Sequence, residues 1–231
     1  MVNKEPPIDP NEISSDEGVK EPVFNAPISM VLLSALLVVC YLVYSLQGEE
    51  TKFAILVDYA LFPDRYFAEA GSFKAYANWY DGPLTFLTHG LLHADWAHVG
   101  MNAVFALAFG TGVVRALGVW RTLIIYVASQ IGGALFYLYF GQIMGGDTSI
   151  AVGASGAVSG LTGAVFLLMA KGQMLSQQFG VLSGVFLLGN VMLAVVGPTL
   201  LGSVIAWEAH VGGYIVGALS AAIMLRYVAE S

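Results

Sequence analysis

Residues 150–170 read IAVGASGAVSGLTGAVFLLMA, a continuous apolar stretch that indicates a membrane-spanning helix. It contains no Asp, Glu, Lys or Arg over the length of about 20 residues that a helix needs to cross a bilayer. Similar stretches occur at 28–46, 97–114, 122–144, 179–207 and 209–225. Because lipid offers no hydrogen-bond partners to the backbone, each stretch is expected to be helical. The sequence therefore predicts an all-α membrane protein whose six transmembrane helices form one domain, residues 28–227.

The overall composition agrees with lipid as the solvent for most of the chain. Of the 231 residues, 57% are hydrophobic and 11% are charged, whereas soluble domains have about 25% charged residues. The mean hydropathy is +0.74 and the formal net charge is −7. An acidic chain without a basic stretch gives no indication of a nucleic-acid partner.

Residues 1–27 differ in composition from the rest of the chain. They contain two lysines against six carboxylates, and prolines recur among them. Such a segment cannot bury enough apolar surface to fold alone, so we expect a disordered acidic tail. It lacks the basic start and early apolar stretch of a signal peptide. Residues 228–231 are expected to form a short C-terminal tail.

The basic residues predict the orientation in the membrane. With six spans, one side holds six of the nine basic residues, namely Lys4, Lys20, Arg115, Arg121, Lys171 and Arg226. Short loops rich in Lys and Arg stay in the cytoplasm. We therefore expect a multi-pass protein with both termini in the cytoplasm, in a bacterial inner (plasma) membrane.

The connection after the first span, residues 47–83, is long and rich in aromatic residues. Aromatic side chains favour the headgroup region of a bilayer. We expect a partly membrane-embedded structure on the outer side, although a loop folded over the bundle is compatible with the same composition.

Polar side chains within the predicted spans are few, and they gather at one depth. His98 and Asn102 lie four residues apart in the second span and so share a helix face. Ser155 opens the fourth span, and His210 opens the sixth. On the predicted topology all four lie toward the outer ends of their spans. Because ionisable residues are costly inside a membrane, this gathering indicates a functional site.

The types of these residues suit nucleophilic catalysis. A serine nucleophile needs a base within hydrogen-bond reach and donors for the oxyanion that forms. Ser155 lies at a helix start, where backbone N–H groups are unpaired and the helix dipole is positive. His210 can act as the base, while His98 and Asn102 can donate to the oxyanion. Glu208 points to a different helix face from His210, so the pattern predicts a Ser–His dyad.

Glycine spacing gives Ser155 and His210 a reason to meet. Pairs of glycines four residues apart allow helix backbones to approach closely in a membrane. Such pairs are Gly156 and Gly160 in the fourth span and Gly213 and Gly217 in the sixth. If these pairs pack on each other, His210 comes level with Ser155. We expect them, together with Gly153, to support the site by helix packing.

Other interpretations of single residues are weaker. His89 and His93 have the spacing of a zinc pair, but the chain has no HExxH motif and no carboxylate placed as a base, so no metal is expected. An aspartyl protease needs two buried aspartates, whereas Asp81 and Asp147 fall in polar loops. Asn190, in the fifth span, has no partner among these motifs and is interpreted as a helix-bridging residue.

Three segments together resemble the rhomboid family of intramembrane serine proteases. They are HADWAHVGMN at 93–102, GASGAVSG at 153–160 and AHVGGYIVG at 209–217, which fall on the second, fourth and sixth predicted spans. The resemblance covers roughly residues 28–227 and leaves the acidic tail outside.

The resemblance implies a role for each site residue. Ser155 would be the nucleophile and His210 the general base, while His98, Asn102 and the Ser155 backbone N–H would form the oxyanion hole. The substrates would be single-pass or other transmembrane proteins, and no cofactor or metal would be needed. The long first connection would be the membrane-embedded loop of the family.

Two positions depart from the family pattern. Residues 79–83 read WYDGP, where many bacterial members have a Trp-Arg pair, and Ser159 occupies a position where some members have a tyrosine. Neither change removes a reacting group.

A catalytically silent scaffold that binds client transmembrane helices is the main alternative function. A transporter is disfavoured because ionisable residues do not follow the full depth of a pathway.

Overall fold

The computed structural model describes residues 25–69, 72, 75–143, 149–201 and 205–229. Within them the chain is helical, apart from connecting segments and one isolated bridge. The helices are α1 (Ile28–Ser45), α2 (Glu49–Tyr59), α3 (Pro63–Tyr66), α4 (Asp81–Thr88), α5 (Trp96–Leu117), α6 (Val119–Ile143), α7 (Ser155–Met169), α8 (Gln177–Leu201) and α9 (Trp207–Ala229), with a 3-10 turn at His89–Leu91. The predicted tail at residues 1–24 lies outside the described residues, and α9 continues to Ala229.

Five helices of the described chain are long and apolar enough to cross a membrane, and they are α1, α5, α6, α8 and α9. The protein is therefore a multi-pass integral membrane protein with an all-α fold. The remaining predicted span corresponds to α7, an apolar helix of 15 residues. It is short because the chain before Ser155 is not helical: Ala151 forms the isolated bridge and Gly153 has a φ of +121°.

Helix α7 lies at the centre of the bundle, packed against α6 and α9 and also contacting α5. Every residue from 156 to 164 is buried. Gly213 lies against the backbone of Gly156, and Gly217 lies against that of Gly160, so a Cβ at either α9 position would overlap with α7. The absence of side chains at these positions allows α9 to approach α7 at backbone distance.

The peripheral helices α1 and α8 are less buried than α6 and α9. Helix α1 packs on α5, where the Ser34 hydroxyl donates to the Ala103 carbonyl at 2.8 Å. Helix α8 contacts α7 and α9. Only 11% of the residues in its apolar membrane-spanning stretch are buried, against 39% for α9. Most of the α8 surface therefore faces away from the protein.

The described part of the first connection contains α2 and α3 and ends at the beginning of α4. Leu61 and Ala151 exchange two backbone hydrogen bonds, of 3.1 and 2.9 Å, in an isolated antiparallel bridge. The Tyr66 hydroxyl donates to the Gly82 carbonyl, and the Arg65 guanidinium lies 4.1 Å from the centre of the Tyr76 ring. The connection is thus a folded unit, and the bridge ties it to the segment just before α7.

Candidate active site

Ser155 and His210 meet at the beginnings of α7 and α9. The Nε2 atom of His210 lies 2.9 Å from Oγ of Ser155, within hydrogen-bonding distance, although the residues are 55 apart in the chain. The contact follows from the packing of α9 on α7, because Gly213 is one turn after His210 and touches Gly156. This geometry allows a proton to pass from the serine hydroxyl to the imidazole.

Asn190 of α8 contacts the other nitrogen of the same imidazole. Its Oδ1 lies 2.8 Å from Nδ1 of His210. The interpretation that Asn190 has no partner among the motif residues was therefore wrong. Sequence spacing could not reveal this contact, because the two residues lie on different helices and their pairing depends on how α8 packs against α9.

His98 and Asn102 lie beside the turn that precedes Ser155. A Cβ built on Gly153 would be 2.7 Å from Nε2 of His98 and 3.7 Å from Nδ2 of Asn102, so both nitrogen atoms face this turn. Nδ2 of Asn102 is buried and has no hydrogen-bond partner among the described residues. A buried amide donor without a partner is costly, and it is available for a negatively charged oxygen.

The tautomer of His98 follows from its surroundings. The backbone N–H of Ala94 donates a long hydrogen bond, 3.5 Å, to Nδ1 of His98. A nitrogen that accepts carries no proton, so in the neutral ring the proton is on Nε2, the atom that faces Gly153. Asp95 caps α5 by accepting from the His98 backbone N–H at 2.8 Å, which fixes where the helix begins.

Gln130 of α6 stabilises the turn before Ser155 through hydrogen bonds to the backbone on both sides of this serine. Its Nε2 lies 3.1 Å from the Gly153 carbonyl oxygen and 2.8 Å from Nε2 of His89, so the amide donates to both. Its Oε1 accepts from the Ala157 backbone N–H at 3.0 Å, which satisfies one of the free donors at the start of α7. The sequence reasoning missed Gln130, although a polar amide in an otherwise apolar span is a signal for a functional or packing role.

His89 links this network to α4. Its backbone carbonyl accepts from the Gly153 N–H at 2.8 Å, and its Nδ1–H donates to the Thr85 carbonyl at 2.6 Å. Burial lowers the pKa of His89 to about 4, so the ring is neutral at pH 7 and Nε2 can accept from Gln130. Both ring nitrogens are therefore engaged in hydrogen bonds, which disfavours the zinc-pair interpretation.

Several other residues singled out in the sequence lie away from this arrangement. Asp81 accepts hydrogen bonds from the backbone and side chain of Asn78 on the protein surface. Asp147 lies outside the described residues. Ser159, at the position that departs from the family pattern, is buried one turn after Ser155. Among the described residues, no three His, Cys, Asp or Glu side chains form a group that could hold a metal ion.

Comparison with known proteins identifies the class to which this arrangement belongs. The sequence model of the Rhomboid domain matches residues 80–227, more than half of the chain. The chain belongs to the rhomboid family.

The similar curated proteins include two from bacteria and one from mitochondria. Rhomboid protease AarA of Providencia stuartii is 32% identical over 104 residues, which are 41% of this chain and 36% of that protein. Rhomboid protein 1, mitochondrial, of Saccharomyces cerevisiae is 30% identical over 130 residues, 55% of this chain and 38% of that protein. Rhomboid protease GluP of Bacillus subtilis is 27% identical over 199 residues, 86% of this chain and 35% of that protein.

The chain spans less than half the length of each of these relatives. Two of them are named as proteases, and the chain contains several membrane-crossing helices. The family to which the chain belongs therefore includes members that are named as proteases.

Proposed function

We propose that this protein is a serine endopeptidase that cleaves transmembrane segments of other membrane proteins, with Ser155 as nucleophile and His210 as general base. The observation that carries the proposal is the 2.9 Å contact between Oγ of Ser155 and Nε2 of His210 at the start of two helices in a membrane bundle. A serine hydroxyl next to an imidazole that can accept its proton is the requirement for nucleophilic catalysis by serine.

The proposed reaction has two stages. Ser155 Oγ attacks the substrate carbonyl while its proton passes to Nε2 of His210, and the oxyanion is stabilised by the Asn102 Nδ2, the His98 Nε2–H and the Ser155 backbone N–H. His210 then gives the proton to the departing amine as the peptide bond breaks. In the second stage His210 takes a proton from water, the hydroxide attacks the acyl-enzyme, and the proton returns to Ser155. No step uses a metal or an organic cofactor.

The length of α7 supports access of water to Ser155. Its 15 residues extend about 22 Å, whereas the hydrocarbon core of a bilayer is about 30 Å thick. We propose that α7 is the fourth of six spans within a membrane domain of residues 28–227, and that Ser155 lies below the outer surface in a cavity open to water. The folded first connection, partly embedded in the membrane, would form one wall of this cavity.

The remaining sequence-based expectations complete the proposal. Residues 1–27 are proposed as an acidic cytoplasmic tail and residues 228–231 as a short tail on the same side, which follows from the distribution of basic residues. A bacterial inner membrane is the proposed location, while the similar proteins come from mitochondria as well as bacteria. The substrates are proposed to be single-pass or other transmembrane proteins.

The proposal is tested with purified protein and a single-span reporter in liposomes. Wild type should cut the reporter, whereas Ser155→Ala and His210→Ala should abolish cleavage. Asn102→Ala should reduce turnover by about 10²-fold or less, because other donors share the oxyanion charge. Equal cutting by wild type and Ser155→Ala would rule out the nucleophile assignment.

If wild type does not cut the reporter, a second measurement distinguishes an enzyme that rejects this reporter from a scaffold without activity. A fluorophosphonate reacts with an activated serine and needs no peptide substrate. Labelling of wild type but not of Ser155→Ala would indicate an enzyme that rejects this reporter. The absence of both cutting and labelling would instead favour the scaffold that binds client helices.

A further inference from the structure

Asn190 lies at the meeting point of a peripheral helix and the proposed general base. The Asn190 side chain is only 5% exposed. This is unusual for α8, because only 11% of the residues in its apolar membrane-spanning stretch are buried. Its Oδ1 is 2.8 Å from Nδ1 of His210. A polar amide is thus buried on the one face of α8 that meets the proposed active site.

The orientation of the Asn190 amide determines which nitrogen of His210 carries the proton. Nδ2 of Asn190 lies 2.9 Å from the Phe186 carbonyl, which can only accept, so the NH₂ group must face Phe186. The amide oxygen therefore faces His210 and can only accept from Nδ1–H. With the proton on Nδ1, Nε2 of the neutral ring is free to accept from the Ser155 hydroxyl.

The same face of α8 makes a second hydrogen bond to α9. Oγ of Ser183 lies 2.6 Å from the hydroxyl oxygen of Tyr214. Ser183 and Asn190 are seven residues apart, which is about two helical turns, so they share a face. The Ser183 contact joins the helices in the same way as Asn190 but does not touch His210, and it therefore provides a matched control.

We propose that Asn190 is a positioning residue that holds His210 in the tautomer and orientation needed to take the proton from Ser155. Because Asn190 is on α8, the base is correctly oriented only while α8 is seated against α9. This inference rests on the proposed function, since it assigns Asn190 a part in the same reaction. It extends the predicted Ser–His dyad to a Ser–His–Asn arrangement, in which the amide has the orienting part that an aspartate has in other serine hydrolases.

The test compares Asn190→Leu with Ser183→Ala. Leucine is close to asparagine in shape and is favoured in a membrane helix, so it removes the hydrogen bond without leaving a large cavity. Four quantities are measured for each variant in liposomes or detergent: kcat and KM for reporter cleavage, the rate of fluorophosphonate labelling of Ser155, and the thermal unfolding midpoint.

Asn190→Leu should lower kcat by about 10- to 100-fold, the usual effect of removing the partner that orients a functional histidine. KM should change little, and the labelling rate should fall together with kcat. Ser183→Ala should keep kcat and the labelling rate close to those of wild type, whatever its effect on unfolding. A purely helix-bridging role predicts instead that activity follows the unfolding midpoint in both variants.

The outcomes separate this inference from the proposed function. If wild type cuts and Ser155→Ala does not, but Asn190→Leu turns over and labels like wild type, the positioning role is wrong and the protease stands. An equal loss of kcat in Ser183→Ala would also overturn the positioning role. If wild type neither cuts nor labels, the protease and the positioning role fall together.

Discussion

At the level of single residues, Gly153 shows how closely the turn before Ser155 is constrained. Its φ of +121° is a backbone conformation that other residues rarely adopt. Its N–H and carbonyl are both bonded, to the His89 carbonyl and to the Gln130 amide. A side chain here would also point directly at Nε2 of His98, 2.7 Å away. The positive φ and the lack of space next to His98 are therefore two separate reasons why this position requires glycine.

Replacing Gly153 by alanine should damage the proposed oxyanion site more than the fold. The positive φ should cost about 1–3 kcal/mol, and the added methyl group should displace the His98 ring. Reporter cleavage is expected to lose kcat by up to about 10²-fold, since His98 is one of several proposed oxyanion donors. Turnover and the thermal unfolding midpoint are measured side by side.

Gly100→Ala is the matched control for Gly153→Ala. Gly100 is on α5, the helix that holds His98, and a Cβ there meets nothing within 4 Å. Its turnover should remain near that of wild type. Normal cleavage by Gly153→Ala would contradict a role for His98 in binding the oxyanion at this turn.

Residues that belong to a contiguous motif could be predicted from the sequence, whereas the hydrogen-bond partners of the supporting amides could not. Ser155 and His210 were selected by residue type and by the glycine pairs nearby, and the structure brings them into contact. Gln130 and Asn190 lie outside those motifs, on α6 and α8. Their importance depends on which way an amide faces across a helix interface, and neither apolar periodicity nor spacing contains that information.

At the level of elements, the packing of α9 on α7 sets the distance between the proposed base and nucleophile. Gly217 lies against the carbonyl and Cα of Gly160, so the neighbour is backbone and cannot rotate away. A larger residue must push the two helices apart. Since His210 lies on α9 two turns before Gly217, a shift of α9 would also move His210 relative to Ser155 in the proposed active site.

Gly217→Ala should therefore destabilise the protein by about 1–3 kcal/mol, the usual cost of overpacking, and should also reduce cleavage. The unfolding midpoint in denaturant and the reporter turnover are the measurements. Gly184→Ala on α8 is the control, because a Cβ at that position has open space around it. Alanine there should be neutral or slightly stabilising through its higher helix propensity. Equal stability of the two variants would show that α7 and α9 can separate without cost.

Element boundaries were harder to predict than element type. The apolar stretch at 150–170 is continuous in composition, but α7 begins only at Ser155. The bridge between Leu61 and Ala151 and the positive φ of Gly153 keep the preceding residues out of the helix. Both depend on contacts with distant parts of the chain, so hydropathy alone could not place the helix start. The described first connection likewise contains two helices and the beginning of a third, where composition indicated only an aromatic-rich segment.

At the level of the whole molecule, two buried histidines outside the spans make stability depend on pH. Burial lowers the pKa of both His89 and His93 from the ordinary value of 6.5 to about 4. As the pH falls below about 6.5, the unfolded chain takes up protons that the folded protein does not. Stability is thus complete above about pH 6.5 and is lost progressively toward pH 4.

Acidification from pH 7.5 to 5 should lower the free energy of unfolding by on the order of 2 kcal/mol for each of these histidines. Unfolding midpoints in detergent at several pH values measure the effect. His89→Gln should make the pH dependence shallower, since one of the two groups is removed, even if the variant is less stable throughout. An unchanged slope in this variant would mean that His89 does not resist protonation in the folded protein.

Under the proposed function, the burial of α7 has a consequence for where a substrate would be cut. Because protein surrounds most of α7, its packing against α6 and α9 fixes the position of Ser155 along the membrane normal. A change in bilayer thickness therefore does not move Ser155 relative to the rest of the bundle. A substrate helix has no such support and tilts more strongly as the bilayer becomes thinner. Tilting lowers the rise per residue along the membrane normal from its upright value of about 1.5 Å. At the fixed height of Ser155, a thinner bilayer therefore presents a residue closer to the end of the substrate helix, and the scissile bond moves outward along the sequence.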